Sequence, residues 1–353
     1  MTLDLRIARS NRLVRVLGLA VTVALLKGPL VRAADPAKVV GADKCAECHN
    51  HKAEAQAWQA TTHAKRYRAD PMHQLAAAKE IAKKLGIRRI RRSDRCTTCH
   101  YTTQAGRGGR ARAISGVSCE SCHGGARDWI KIHNDFGEGV NDPVNETAAH
   151  RKQRLAACDA AGMNRKSEIH AIAANCFGCH TVPDEELINV GGHTPGSAFE
   201  LVAWMSGEIR HNFSAGPRNA ESPKGTSPAE HRRVLYVIGR GVDLEYSLRS
   251  LAKATQPGTF ADSMKARVEA ALGELTKIND AAATDEAKTM VAAVDASALK
   301  PGNSDALTKT ADAVGAAVKA FVEKHDGTQL AGLDALLPKP DQYKGKALAE
   351  VAP

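Results

Sequence analysis

Eight of the nine cysteines in this chain lie in four copies of the pentapeptide Cys-x-x-Cys-His. This spacing is typical of c-type haem attachment, in which two thiols form thioethers with the haem vinyl groups and the adjacent histidine ligates the iron. The sequence therefore predicts four covalently bound haems. The predicted thioether cysteines are Cys45, Cys48, Cys96, Cys99, Cys119, Cys122, Cys176 and Cys179, and the predicted iron ligands are His49, His100, His123 and His180.

Other uses of paired cysteines fit this pattern less well. A zinc site does not need a histidine directly after every second cysteine. A thioredoxin-like site uses one Cys-x-x-Cys motif beside a βαβ unit. Disulfides suit an exported protein but would not select the trailing histidine. Zinc and disulfides stay open as minor alternatives to haem.

The segment that carries the motifs, residues 34–232, is rich in glycine and polar residues and poor in aromatic ones. It has little apolar surface for a conventional core, so we expect short helices and long loops folded around four haems. After it, residues 233–337 are predicted to form a helical bundle. The expected fold class is mainly α: a tetrahaem cytochrome c domain, this C-terminal helical bundle, and a disordered tail over 338–353.

Four helices are predicted in the bundle from apolar residues at steps of three and four. The first should begin with a capping box at Ser227, take Pro228 as its first residue and end near Ala254. The second and fourth should contain residues 264–278 and 307–321, and the third should span about 284–297. The simplest interpretation of this bundle is a packing or partner-binding domain without chemistry of its own.

The first 33 residues indicate a secretory signal peptide. Four arginines precede an apolar run over residues 16–26, and residues 31–33 offer a small-residue cleavage site. The run is short for a transmembrane span, and no later segment is apolar enough to cross a bilayer. We expect a soluble periplasmic protein with no membrane span after signal removal; an uncleaved anchor is the alternative.

The charge gives little support for a nucleic-acid partner. Signal removal takes five positive charges from the formal net charge of +10 and leaves +5, and ionised haem propionates would bring the holoprotein near neutrality. One basic cluster precedes the second motif: Arg88, Arg89, Arg91, Arg92 and Arg95. It could pair with propionates, dock an acidic redox partner or form a solvated face.

The ten histidines outside the motifs decide between an electron carrier and an enzyme. An iron with histidine on both faces is low-spin and coordinatively full, which suits electron transfer. An iron with one open face can bind a small molecule. The sixth ligand of each iron is therefore the central question.

Three segments resemble the cytochrome c-554 family over about residues 40–182. They are CAECHNHKAEAQAWQATTHAKRY, GVSCESCHGGARDWIKIH and EIHAIAANCFGCH. The family consists of tetrahaem proteins that accept electrons from hydroxylamine oxidoreductase. The resemblance implies axial pairs His49/His133, His123/His63 and His180/His170, and an open sixth position at the second haem, held by His100.

The segment from Thr181 to His231 has no counterpart that we can place in the family. It contains His193 and His211, either of which could close the second haem. The expected function is a periplasmic tetrahaem cytochrome that transfers electrons between redox partner proteins, which favours a carrier over an enzyme. The alternative is a multihaem enzyme that converts a small nitrogen oxide or hydroxylamine at an open second haem.

Overall fold

The computed structural model describes residues 34–49, 54–165, 167–210 and 228–345. The predicted signal peptide, His211 and Ser227 lie outside these ranges. Within the described ranges, ten helices precede the predicted bundle: α1 Ala42–His49, α2 Glu54–Ala60, α3 Thr62–Lys65, α4 Ala76–Lys84, α5 Asp94–His100, α6 Cys119–His123, α7 Ala148–Ala160, α8 Ile169–His180, α9 Glu185–Asn189 and α10 Leu201–Met205. Most of these helices are short, as expected for a chain that folds around haems.

A small antiparallel hairpin separates the second and third motifs. It pairs β1 Thr102–Ala105 with β2 Ala111–Ser115, and the register shifts between Thr102 and Thr103. The hairpin packs near the 3₁₀ turn Ile90–Arg92 that precedes α5. These elements hold the second motif beside the arginine-rich segment.

The C-terminal bundle forms as the periodicity predicts. Its helices are α11 Ala229–Leu251, α12 Thr259–Ala281, α13 Asp285–Ala292 and α14 Ser304–Lys324. The start of the first helix differs from the prediction, because Pro228 is the N-cap residue and not the first helical residue. A 3₁₀ turn, Ala296–Ala298, follows α13 where one continuous helix was expected.

The apolar core of the bundle continues into the motif-bearing region. Phe177 on α8 and Leu201 on α10 belong to the same core cluster as the buried faces of α11, α12 and α14. Among the described residues, they are also the only two of the largest fully buried side chains that precede the bundle. The motif-bearing region therefore has little apolar core of its own, in line with the sequence.

The start of the predicted disordered tail is ordered. Pro340–Gln342 form a 3₁₀ turn. The Lys344 backbone then pairs with the chain around α10: its N–H donates to the Ala203 carbonyl (3.1 Å), and its carbonyl accepts from the Glu208 N–H (2.8 Å). These two backbone hydrogen bonds fix the segment, and amino-acid composition gives no information on such pairing.

A membrane-spanning helix was not expected after residue 33. Within the described ranges, every helix is too short or too polar to cross a bilayer.

Candidate haem-binding site

All four Cys-x-x-Cys-His motifs end a helix. Helices α1, α5, α6 and α8 finish at His49, His100, His123 and His180 respectively. Residues three and four positions apart lie on one helix face. Both cysteines and the histidine of each motif therefore share a face, which is the arrangement that two thioether bonds and one axial bond to a single haem require.

The His49 ring faces the His133 ring. Their centroids are 6.4 Å apart and their planes differ by 21°. Metal–imidazole bonds of about 2.0–2.1 Å and a ring radius of roughly 1.1–1.2 Å place the centroids of two rings that share one ion about 6.2–6.6 Å apart. The distance therefore fits one iron between the two side chains, and the structure brings together the pair that the resemblance implied.

The His100 ring lies opposite His193, one of the two residues that the sequence offered for the second haem. Their centroids are 6.2 Å apart, which again fits one iron. His193 follows α9 in a tight turn, where its N–H donates to the Leu187 carbonyl at 3.1 Å. A Cβ at Gly191 would come within 2.5 Å of that same carbonyl oxygen, so this turn requires glycine.

The third ring pair differs from the one that the resemblance implied. His63 lies beside His180, with 6.3 Å between centroids and 57° between planes, and not beside His123. Burial lowers the pKa of His63, and also lowers the pKa of His100 and of His180 to about 4. These imidazoles are therefore neutral at physiological pH, and the neutral form is the one that ligates iron.

The implied pair His180/His170 does not form either. Both residues lie on α8, ten residues apart, so they are separated by about 15 Å along the helix axis at 1.5 Å per residue. His170 instead turns towards the bundle, where its Nε2 lies 3.2 Å from the Glu245 carboxylate. His170 precedes the fourth motif in the sequence, but the sequence did not show that one continuous helix contains both.

Four histidines of the candidate site have a hydrogen-bond partner at Nδ1. The Nδ1–H of His133 donates to the Ile130 carbonyl (2.6 Å), that of His193 to the Thr194 carbonyl (2.8 Å) and that of His123 to the Asn164 carbonyl (2.9 Å). The Nδ1 of His180 contacts the Ser197 hydroxyl at 2.7 Å. Such partners fix the tautomer and ring orientation of a metal-binding histidine, and they leave Nε2 for the metal.

The motif cysteines lie close together in pairs. Hydrogen bonds between thiols join Cys45 to Cys119 and Cys99 to Cys179. The third and fourth motifs also approach each other, because the side-chain amide of Asn175, the residue before Cys176, donates to the Cys122 carbonyl at 3.1 Å. The attachment points therefore follow each other in space in the order first, third, fourth and second motif.

The buried indole nitrogens of two tryptophans test whether the space around the motif histidines fits haem. Among the described side chains, the Nε1 atoms of Trp129 and Trp204 are buried and have no hydrogen-bond partner. Trp129 packs edge-on against His133 (5.3 Å), and Trp204 lies 6.5 Å from His180. A buried indole N–H without an acceptor is costly, and a carboxylate such as a haem propionate would satisfy it. The residues therefore fit the cofactor.

Glu120 is a site residue that sequence reasoning missed. It lies between the cysteines of the third motif and is fully buried. Its carboxylate accepts hydrogen bonds from the N–H groups of Val40 (2.8 Å), Gly41 (2.7 Å) and Ala126 (2.9 Å). It thus joins the segment before the first motif to the third motif. The available signal in the sequence was a charged residue between two haem cysteines. Glu47 in the first motif shows the same signal but is exposed, so the signal does not identify a buried residue.

Comparisons with known proteins agree with the resemblance. Residues 44–124 match the family model described as cytochrome c554 and c-prime. A curated relative, cytochrome c-554 of Nitrosomonas europaea, is 32% identical over 133 residues, which are 33% of this chain and 56% of that protein. The match thus spans about half the length of the relative. No solved structure matches the chain.

The matched residues contain the first three motifs and end before the segment that carries His193. The family implies covalently bound c-type haem, the cofactor that the ring pairs and the orphaned indoles fit. In this haem-motif region, the chain is similar to the cytochrome c-554 family.

Proposed function

We propose that this protein is an exported, periplasmic tetrahaem c-type cytochrome that passes electrons between redox partner proteins. The observation that carries the proposal is the set of three histidine ring pairs with centroids 6.2–6.4 Å apart, each including the histidine of a different motif. Bound haem supplies reversible one-electron oxidation and reduction of its iron. The remaining haem is bound by the third motif through His123.

The side chains of this protein serve to hold and tune the cofactor. Carbonyl partners at Nδ1 hold the imidazoles of His133 and His193 in the tautomer that ligates through Nε2. The buried indole N–H groups of Trp129 and Trp204, which lack partners within the protein, would donate to propionates and favour their ionised form. Burial around the histidines excludes water from the metal bonds.

The spatial order of the motifs supports transfer within the protein. Cys45 lies beside Cys119, Asn175 next to Cys176 donates to the Cys122 carbonyl, and Cys179 lies beside Cys99. Each haem attachment point is thus adjacent to the next, with the first and second motifs at the two ends. Electrons would enter near one end and leave near the other.

The position of His193 favours a carrier over the enzyme alternative. That alternative required an open second haem, as in the family, where a nitrogen oxide or hydroxylamine could bind. With the ring of His193 6.2 Å from that of His100, a second iron held there would have histidine on both faces. A full coordination sphere disfavours substrate binding and suits electron transfer.

Two measurements on the mature holoprotein test this function. Intact mass should show four haems added to the polypeptide, and electron paramagnetic resonance of the oxidised protein should show low-spin signals for the irons of His49, His100 and His180. Fewer than four haems would contradict the cofactor count. A high-spin second haem that binds cyanide or nitric oxide would instead favour the enzyme.

A further inference from the structure

Six exposed arginines form one continuous basic surface beside the second motif. They come from the segment before α5 and from the hairpin turn, and we call them the arginine surface: Arg88, Arg89, Arg92, Arg107, Arg110 and Arg112. Arg92 lines all three clefts found in this area, the largest of which has a volume of about 860 Å³. The two chain segments therefore present their charges to the same patch of solvent.

The charge of this surface is not neutralised within the described ranges. No aspartate or glutamate lines any of the three clefts. The neighbouring Arg95 differs, because it pairs with Asp184 at 2.8 Å and with Glu186 at 2.7 Å. Like charges this close repel each other, and at physiological salt their potential extends about 8 Å into solvent. An acidic partner would relieve the repulsion and be attracted from a distance.

The arginine surface lies one layer of side chains from the second motif. Tyr67 lines the largest cleft and packs edge-on against Tyr101, with 6.1 Å between ring centroids. Tyr101 is buried, directly follows His100 and belongs to the small apolar cluster against which Cys96 packs. A protein seated on this surface would therefore lie close to the cofactor at one end of the motif order.

We propose that the arginine surface docks an acidic one-electron redox protein, which exchanges its electron with the protein at the second motif. This inference rests on the proposed electron-carrier function and adds the class of partner and its docking site. Arginine suits this role because its planar guanidinium pairs with carboxylates through two parallel hydrogen bonds. Arginine is also enriched at protein interfaces.

The test uses a reduced plant-type [2Fe–2S] ferredoxin as an acidic probe of the mature holoprotein. One electron leaves the ferredoxin cluster and reduces one ferric haem. The variant carries Arg88→Gln, Arg89→Gln and Arg92→Gln. The matched control carries Lys300→Gln, Lys309→Gln and Lys319→Gln, which remove the same charge from exposed positions in the C-terminal region. We expect the arginine variant to lose roughly 10- to 100-fold in second-order rate at low salt, with a shallower salt dependence.

Binding of oxidised ferredoxin, followed by calorimetry, gives a readout without electron transfer and should weaken in the arginine variant only. Equal losses in both variants, or none in either, would overturn the docking site. A changed haem potential with an unchanged salt dependence would show that these arginines pair with propionates instead. Tighter binding to anionic vesicles than to ferredoxin would assign the surface to a membrane.

Reduction by dithionite distinguishes failure of the docking site from failure of the electron-carrier function. If dithionite fails to change the haem spectrum, the carrier function itself is wrong.

Discussion

The imidazole of His193 stands 6.2 Å from that of His100, centroid to centroid, and comes from a segment beyond the residues that match the cytochrome c554 and c-prime family model. The turn that carries it depends on two glycines. Gly191 has no room for a Cβ, and Gly192 adopts φ +76°. Under the proposed function, this turn would place His193 as the sixth ligand of the second haem.

Replacing His193 with alanine should open the second iron. We expect one additional high-spin signal in the oxidised holoprotein and new binding of cyanide, because the iron loses its sixth ligand. Electron paramagnetic resonance and cyanide titration measure this change. His73→Ala is the control, since His73 contacts the Tyr101 hydroxyl at 3.2 Å and faces no motif histidine. An unchanged spectrum for His193→Ala would remove His193 from the metal site.

Replacing His170 with alanine distinguishes this structure from the family pattern. The pattern makes His170 an axial ligand, so the substitution would create a high-spin haem. The structure places it against Glu245, so we expect every haem to keep its spin state. The protein should instead lose about 1–3 kcal/mol of stability, because the buried Glu245 loses a partner. Spin-state counting and denaturant unfolding of the same sample give both results.

Glu120→Gln should destabilise the contact between the first and third motifs. The Glu120 carboxylate accepts three backbone N–H groups, whereas an amide would turn a donor towards at least one of them. A loss of about 2–4 kcal/mol in unfolding free energy is expected.

Glu47→Gln is the matched control for Glu120→Gln, because Glu47 occupies the first motif but pairs with Lys44 in solvent. Exposed pairs contribute at most about 1 kcal/mol. Equal midpoints for the two variants in guanidinium unfolding would show that the buried carboxylate has no special role.

Acid should weaken the junction between α13 and α14. Hydrogen bonds from Lys324 (2.6 Å) and His325 (3.0 Å) lower the pKa of Glu286 from 4.5 to about 2. A depressed carboxyl pKa stabilises the fold above the unfolded value and loses that effect as pH falls through the folded value. The stabilisation should therefore be complete above pH 4.5 and decline towards pH 2.

The thermal midpoint of Glu286→Gln tests this pH dependence. It should lie below that of the native protein at about pH 7, and the difference should shrink at about pH 3. Glu269→Gln, which removes an exposed carboxylate 3.9 Å from Lys265, should show no such pH dependence. A difference that stays constant with pH would mean that the charge of Glu286 does not contribute.

Local chemistry made part of this molecule predictable. The spacing of Cys45, Cys48 and His49 specifies one helix face and a haem without reference to the rest of the chain. Apolar steps of three and four likewise predicted α12 and α14, because a buried helix stripe has that period. The resemblance also implied the pair His49/His133, whose ring centroids lie 6.4 Å apart in the structure.

The remaining pairings depend on tertiary structure. His63 could lie opposite the histidine of the third motif or that of the fourth. The packing of Cys99 against Cys179 in the folded chain shows that the second and fourth motifs are neighbours. His170 lies away from His180 because the continuous helix α8 separates the two residues. The order of Tyr343 and Lys344 depends on partners far away in sequence, which composition does not record.

The fourth motif has a consequence for how the molecule is made. Phe177, between Cys176 and Cys179, is 1% exposed and packs into the C-terminal core. Any enzyme that joins haem to these cysteines needs access to both sides of that residue. Attachment must therefore precede closure of the later helices over α8, and a chain whose C-terminal part folds too early would be trapped with an incomplete set of cofactors.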